Sequence, residues 1–145
     1  MELSIQTVLL NVSNLEQSMA FYGDVFDLRP ISQRDEAAAL MVSEINRRQV
    51  LLLRELPGKS SRAGRRHVGL RMLSFEAGAP SELDAIEKKL EERGALVGRG
   101  QTETYRSIIG VDPDRTEIAV ASSLTGIPIT SEDWRTVDDA VYMFE

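Results

Sequence analysis

The chain has 145 residues, a formal net charge of −6 and no cysteine. That length suits one compact domain or two small modules with a shared core. The acidic balance disfavours nucleic acid and anionic membranes as partners, and no apolar run approaches the roughly 20 residues of a membrane span. The lack of cysteine excludes disulfides, a thiolate nucleophile and Cys-based metal sites. We therefore expect a cytoplasmic protein that binds neither nucleic acid nor membrane.

The first half of the chain is typical of a strand followed by a helix and three further strands. Aliphatic and β-branched residues dominate Leu3–Val12, which predicts a buried strand. Helical spacing of apolar residues follows, and Ser13 or Asn14 can cap the first turn. Three extended segments then come near residues 31–34, 37–43 and 49–53, joined by links short enough for hairpins. These elements define a βαβββ module over residues 3–56.

The second half repeats this order over residues 65–121. The stretch RRHVGLRMLSF predicts a strand, and a helix is expected from Pro80–Ser81 to Gly94. Extended segments follow near residues 96–98, 105–111 and 116–121, with the turn DPDR between the last two. TVLLNV at Thr7 and HVGLRM at His67 align, which indicates an internal repeat with a period of about 60 residues.

Two βαβββ modules solve a burial problem that one module cannot. A single module leaves one face of its sheet uncovered, whereas two can set their sheets side by side with helices outside. We predict an α+β fold in which two tandem modules form a cup-shaped, eight-stranded mixed sheet within one domain, residues 1–121. Residues 122–145 form a tail that becomes helical at about residue 131. Its apolar residues either cover the core or form a dimer contact: Trp134, Val137, Val141 and Phe144.

Three motifs, in order, resemble the vicinal oxygen chelate superfamily, which contains glyoxalase I, the type I extradiol dioxygenases and the bleomycin-binding resistance proteins. They are TVLLNVSNLEQSMAFYGDVFDLRP, HVGLRM followed by ELDAIEKKLEERGALV, and SIIGVDPDRTEIAV. The resemblance covers about residues 3–121 and implies the fold predicted above. It also implies a cup that holds a ligand, but no single chemistry, because this fold hosts many activities.

The resemblance further implies where a divalent metal would be held, by a His on the first strand of each module and a Glu on the last strand. His67 is present, whereas Thr7 and Ala119 stand at the other two positions. One imidazole with waters does not hold a transition metal tightly, so we predict no metal ligand and no cofactor. The alternative is one divalent transition metal on His67 and Glu117, since Glu117 lies two residues before Ala119 and faces the same side.

Six residues are candidates for contact with a small-molecule ligand: His67, Glu117, Asn11, Arg71, Tyr105 and Arg106. His67 is either a ligand contact, a general acid or base, or a hydrogen-bonded residue without a chemical role. Glu117 contacts the ligand or pairs with Arg71 or Arg106, because a buried carboxylate needs a partner. Tyr105 and Arg106 either clamp an aromatic or anionic ligand or are ordinary strand residues. Asn11 either contacts the ligand or ends its strand.

We therefore predict a superfamily protein that binds a small, aromatic or otherwise planar, organic molecule without a tightly bound metal. Members of the superfamily commonly pair, which implies a homodimer. One alternative is a metal-dependent extradiol dioxygenase or glyoxalase-like lyase with a non-standard ligand set. A second alternative is a non-catalytic partner subunit of a complete homologue.

Overall fold

The computed structural model describes residues 1, 3, 7–35, 38–43, 49–56 and 70–142. These residues form eight strands and three helices. The chain divides into two compact units, Met1–Arg62 and Ala63–Glu145, and each unit carries a four-stranded mixed sheet. None of the three described helices is long and apolar enough to span a bilayer. The predicted α+β fold of tandem βαβββ modules is confirmed, with the eight strands divided equally between two sheets.

Unit 1 contains one helix and the first sheet. Its sheet has the order β1-β4-β3-β2, in which β1 and β4 run parallel and the other neighbours antiparallel. The elements are β1 (Val8–Val12), α1 (Leu15–Phe26), β2 (Leu28–Asp35), β3 (Ala38–Ser43) and β4 (Gln49–Glu55).

Helix α1 begins where two side chains accept its free amide hydrogens. The Asn14 side chain accepts a hydrogen bond from the Gln17 N–H at 2.9 Å, so Asn14 is the capping residue. The Glu55 carboxylate, at the end of β4, accepts one from the Leu15 N–H at 2.8 Å, across 40 residues of sequence. Both bonds satisfy amides that have no partner inside the helix. The start of α1 therefore depends on a local cap and on the last strand of its own unit.

The buried side of α1 differs from the apolar stripe of the sequence, in which Leu15, Met19, Tyr22 and Phe26 share one helical face. Ser18 is fully buried, while Met19 and Phe26 are only half-buried. The small hydroxyl side chain of Ser18 carries no hydrophobic signal, so the apolar pattern alone places the centre of the buried face wrongly. The residues that pack inward are Leu15, Ser18, Phe21, Tyr22 and Val25.

Unit 2 contains the second sheet and two helices. Its sheet has the order β5-β8-β7-β6, again with one parallel pair, β5 and β8. The elements are β5 (Leu73–Glu76), α2 (Pro80–Glu92), β6 (Leu96–Gln101), β7 (Tyr105–Val111), β8 (Glu117–Ser123) and α3 (Ser131–Tyr142). The C-terminal helix is thus confirmed at its predicted start, and Gly94 adopts the expected left-handed conformation after α2.

The described part of the first strand of unit 2 is short. Strand β1 begins one residue after Thr7, whereas β5 begins at Leu73, six residues after His67. The ladder explains this difference, because Leu73 pairs with Ile118 and β8 itself begins only one residue earlier, at Glu117. Residues 70–72 are described and precede β5. The earlier part of the predicted strand, including His67, lies outside the described residues.

Helix α2 packs closely against β7 at a glycine. A Cβ added to Gly110 would lie 2.8 Å from Cδ2 of Leu90 and 3.2 Å from the carbonyl oxygen of Ala95. Both distances are shorter than van der Waals contact, and Leu90 is fully buried. The absence of a side chain at Gly110 therefore lets α2 approach the sheet.

We expect Gly110→Ala to lower the free energy of unfolding by about 1–3 kcal/mol, because the methyl group overpacks the contact with Leu90. Urea denaturation measures this change. Gly98→Ala is the matched control, since a Cβ at Gly98 meets nothing within 4 Å; its effect should stay within about 0.5 kcal/mol. Equal effects of the two substitutions would contradict the close approach of α2.

Candidate functional site

Strands β7 and β8 alternate their side chains between two covered faces of the unit 2 sheet. Gly110 and Arg106 face α2, as their contacts with Leu90, Asp84 and Glu87 show. The alternate positions face α3, where Val137 belongs to the same buried apolar cluster. We call this second surface the α3 face and define it by the side chains of Tyr105, Ile109, Glu117, Ala119 and Ala121.

Helix α3 covers the apolar part of the α3 face. Val137 is 4% exposed, and the partly buried Trp134 packs against the same cluster. Core covering is therefore observed for these two members of the predicted apolar stripe. The side chain of Val141 and the whole of Phe144 lie outside the described residues. A helix that lies on this surface keeps water away from the alanines of β8.

An ion-pair cluster borders the apolar part of the α3 face. The guanidinium of Arg71 donates a hydrogen bond to the Glu117 carboxylate, and its Nη2 lies 2.9 Å from Oδ1 of Asp138 on α3. Glu117 is 7% exposed, so its charge needs a partner within the protein. Of the two ion pairs that the sequence left open for Glu117, the structure shows the one with Arg71. Asp138 joins the cluster from α3 as a second carboxylate.

The structure separates Tyr105 from Arg106. Tyr105 lies on the α3 face, while Arg106 pairs with Asp84 and with Glu87, at 3.4 Å, on α2. Adjacent residues of a strand point to opposite faces, so these two side chains cannot clamp one ligand from the same side. Arg106 instead joins α2 to the sheet.

The remaining sequence candidates lie elsewhere. Asn11 is exposed on β1 in unit 1, next to Leu9 and opposite Arg54 in the parallel register. His67 lies outside the described residues. Of the six candidates, the structure therefore brings together Arg71 and Glu117, while Tyr105 lies on the same sheet face towards the other end of β8, opposite Ser123.

Tyr105 has an altered acidity. Burial of the phenol, and then the negative charge of Asp133 on α3, raises its pKa above the ordinary value of 10.0. Both causes disfavour the phenolate. Tyr105 is therefore a neutral hydroxyl at physiological pH, able to donate and accept one hydrogen bond beside an apolar surface.

The described residues do not fit a metal centre. Ala119 stands at the position where the resemblance places a carboxylate, and it is fully buried among apolar side chains. Glu117, the nearest carboxylate on the same strand face, already carries the Arg71 cation. Within the described ranges, no group of three or more His, Cys, Asp or Glu side chains is arranged to hold a metal ion. A divalent cation at Glu117 would have to displace a guanidinium.

Sequence reasoning missed the part that Asp138 and α3 play at this site. The apolar spacing of Trp134 and Val137 predicted that the helix covers something, but not which face. The available signal for this ion pair was an acidic residue, Asp138, directly after the buried Val137. It identifies a partner only once the position of Arg71 is known.

A small open cleft of about 280 Å³ lies in unit 2, where β5 and β8 end and the link to α3 begins. Its lining is mostly glycine, alanine and serine, and Glu76 is its one charged residue. The Glu76 carboxylate accepts a hydrogen bond from the Ile129 N–H at 3.1 Å. The cleft therefore marks where the link to α3 is attached to β5.

Comparison with solved structures identifies the class of fold. A glyoxylase/bleomycin resistance protein/dioxygenase domain from Frankia sp. EAN1pec superposes with a TM-score of 0.76 and 21% identity, over 88% of this chain and 96% of that one. Lactoylglutathione lyase from Agrobacterium tumefaciens gives 0.61 and 23%, over 82% and 92%. A mutant of the fosfomycin resistance protein FosX from Listeria monocytogenes, complexed with Mn(II) and 1S,2S-dihydroxypropylphosphonic acid, gives 0.63 and 15%, over 83% and 90%.

Sequence comparison then identifies the family. The profile of the Glyoxalase/Bleomycin resistance protein/Dioxygenase superfamily matches residues 4–120. The chain therefore belongs to this superfamily, as the motifs predicted. No curated protein sequence matches the chain. These three structures are each less than 25% identical to the chain, so they show only the shared fold.

We expect Glu117→Gln to lower the free energy of unfolding by about 1–3 kcal/mol, because the amide loses the charge-assisted bond to Arg71 inside the unit. Urea denaturation of the full chain measures the loss. Glu103→Gln removes the same charge from an exposed turn and should change stability by less than about 0.5 kcal/mol. If Glu117→Gln matched that control, the ion pair would not be what stabilises Glu117.

We expect Tyr105 to ionise above pH 10. The unfolded phenol loses its proton at about pH 10, so the unfolded state is favoured first, and the free energy of unfolding falls as pH rises from there to the folded pKa. The tyrosinate absorbance of the wild type minus that of Tyr105→Phe gives the midpoint for this residue. Asp133→Asn, which keeps an acceptor for the helix cap, should lower the midpoint. A midpoint at or below pH 10 would contradict the described environment.

Proposed function

We propose that this chain binds a small, planar or aromatic, organic molecule on the α3 face, without a tightly bound metal. One observation carries the proposal. The expected carboxylate position is Ala119, fully buried in a cluster with Tyr105, Ile109 and Ala121. An alanine there removes a metal ligand and adds apolar surface, which suits a ligand held by dispersion and burial.

The chemistry of the surface favours a flat ligand. The alanine side chains on β8 are short, so they form a shallow apolar surface beside the larger side chains of Tyr105 and Ile109. Aromatic rings favour contact with planar groups in stacked or edge-to-face geometry. The neutral Tyr105 hydroxyl supplies one polar contact that can orient such a molecule.

Charge at the site argues against a divalent ion. The FosX structure contains Mn(II), so the family fold can accommodate a metal. In this chain the corresponding region carries the Arg71 guanidinium on Glu117, and a fixed cation raises the free energy of a nearby divalent cation. The proposal therefore assigns to Glu117 the role of holding Arg71 and not that of a metal ligand.

Two other functions stand as outcomes of the test. A metal-dependent dioxygenase or glyoxalase-like lyase would use His67 with Glu117, and a non-catalytic subunit would require a complete homologue as its partner. We also propose that the chain forms a homodimer, in line with the family. Size-exclusion chromatography with light scattering gives the mass of the assembly, and copurification of a different chain would favour the subunit.

We expect the protein purified without chelator to contain iron, manganese, nickel and zinc only at trace level, and its melting temperature to be unchanged by chelator. Elemental analysis of the wild type and of His67→Ala provides the measurement, with the variant as the matched control. Near-stoichiometric metal that disappears in His67→Ala would overturn the proposal in favour of a metalloenzyme. A planar organic molecule that copurifies with the wild type and is released on denaturation would support it.

A further inference from the structure

We infer that α3 is an internal occupant of the ligand face, and that the ligand which displaces it is an apolar molecule bearing an anionic group. The inference rests on the proposed function and specifies its ligand. Helix α3 places the Asp138 carboxylate against Arg71. Beside it, the side chains of Val137 and Trp134 pack against the apolar cluster. A ligand with the same two features would replace both sets of contacts.

The anionic feature comes from Asp138. Its Oδ1 lies 2.9 Å from Nη2 of Arg71, while the other terminal nitrogen of the guanidinium serves Glu117. A guanidinium presents five donors in a planar fork, so it can hold Glu117 and still accept a second anion. The Asp138 side chain is 34% exposed, but its Oδ1 and Nη2 of Arg71 are buried at their contact, so an anion reaches Nη2 only when α3 moves away.

The apolar feature comes from the preceding turn of α3. Val137 is buried against the cluster that contains Tyr105 and Ala119, and Trp134 packs at its edge. An indole and an aliphatic group next to a carboxylate resemble a small aromatic or aliphatic acid. The surface therefore already stabilises this combination of groups within the chain.

The first turn of helix α3 is capped by residues of its own segment, so the helix can leave the sheet with its cap intact. The Thr130 N–H donates to the Asp133 carboxylate at 2.9 Å, and the Asp133 N–H donates to the Thr130 hydroxyl at 3.1 Å. These reciprocal bonds satisfy the first turn from within the helix. Displacement therefore breaks the contacts with the sheet and leaves the helix start intact.

The link between β8 and α3 has the features of a hinge. Gly126 has a φ of +84° with open space around its Cα, and Ile127 is 67% exposed. The Ser123 hydroxyl accepts hydrogen bonds from the Thr125 and Gly126 N–H groups, so the turn is held locally. Rotation next to this turn moves α3 as a unit while β8 keeps its pairing, and it breaks the hydrogen bond from the Ile129 N–H to Glu76.

The test uses two fluorescent probes that differ only in charge, anilinonaphthalene sulfonate and the uncharged phenylnaphthylamine, on the full chain. Asp138→Asn weakens the hold of α3, so both probes should bind about two- to fivefold more tightly than to wild type. Glu132→Gln removes the same charge from an exposed position of α3 and should change neither affinity. Equal affinities in Asp138→Asn and wild type would overturn the inference.

The double variant Arg71→Gln/Glu117→Gln tests the anionic feature, because it removes the cation together with one carboxylate and leaves the net charge of the cluster unchanged. The sulfonate should lose affinity relative to the uncharged probe, whereas an unchanged ratio would show that Arg71 is not the anion anchor. Trp134 is the only tryptophan and reports on α3 directly. Benzenesulfonate should shift its emission to longer wavelength as the indole enters water, and an unshifted spectrum with bound ligand would mean that α3 stays in place.

The two proposals fail in different ways. If neither probe binds to any form of the chain, the result contradicts both the proposed ligand binding and the inferred displacement of α3. If both probes bind to every form equally and the Trp134 emission does not shift, ligand binding stands and the role of α3 is wrong.

Discussion

Unit 2 depends on a strand that is buried on both of its faces. Every residue of β8 from 117 to 122 is buried, which requires a helix on each side of the sheet. A carboxylate at the first position of such a strand must be neutralised, and Arg71 does this from the segment just before β5. The same guanidinium then meets Asp138, so the burial of one strand determines where α3 carries its charge.

Sequence patterns correctly predicted the elements whose ends depend on residues close in sequence. The extent of β7, the cap at Asn14 and the glycine after α2 all depend on residues close in sequence, and each appears where the sequence placed it. The start of β5 is decided by its register with β8, about 45 residues further along, and a sequence pattern carries no such register. The ion pair of Asp138 could not be predicted for the same reason, because its partner Arg71 lies 67 residues earlier in the chain.

The grouping of Tyr105 with Arg106 was an avoidable error of a different kind. Strand parity alone separates neighbouring side chains onto opposite faces, and β7 was correctly predicted as a strand. Arg106 joins a charged network with α2 that was equally readable from the acidic residues on that helix. The candidate site was therefore predictable in its strand positions, while the helix that covers it was not.

The hold of α3 on the sheet is modest on the scale of ligand binding. Burial of Val137 contributes about 1.5–3 kcal/mol and a partly exposed ion pair about 0–1 kcal/mol, and the partly buried Trp134 and Ile129 add further apolar contacts. A ligand with a micromolar dissociation constant releases about 8 kcal/mol on binding. If a ligand displaces α3 as we propose, a weak or poorly matched molecule would leave the helix in place, and the helix would add to the selectivity of the site.

The bond between Leu15 and Glu55 bears on how the chain folds as it leaves the ribosome. Helix α1 is synthesised early, but the carboxylate that accepts a hydrogen bond from its first N–H belongs to β4, the last strand of unit 1. Strand β4 is also the parallel partner of β1. Contacts of this sequence separation form only after the intervening chain has been released. We therefore expect the helix and the sheet of unit 1 to become stable together, once β4 has left the ribosome.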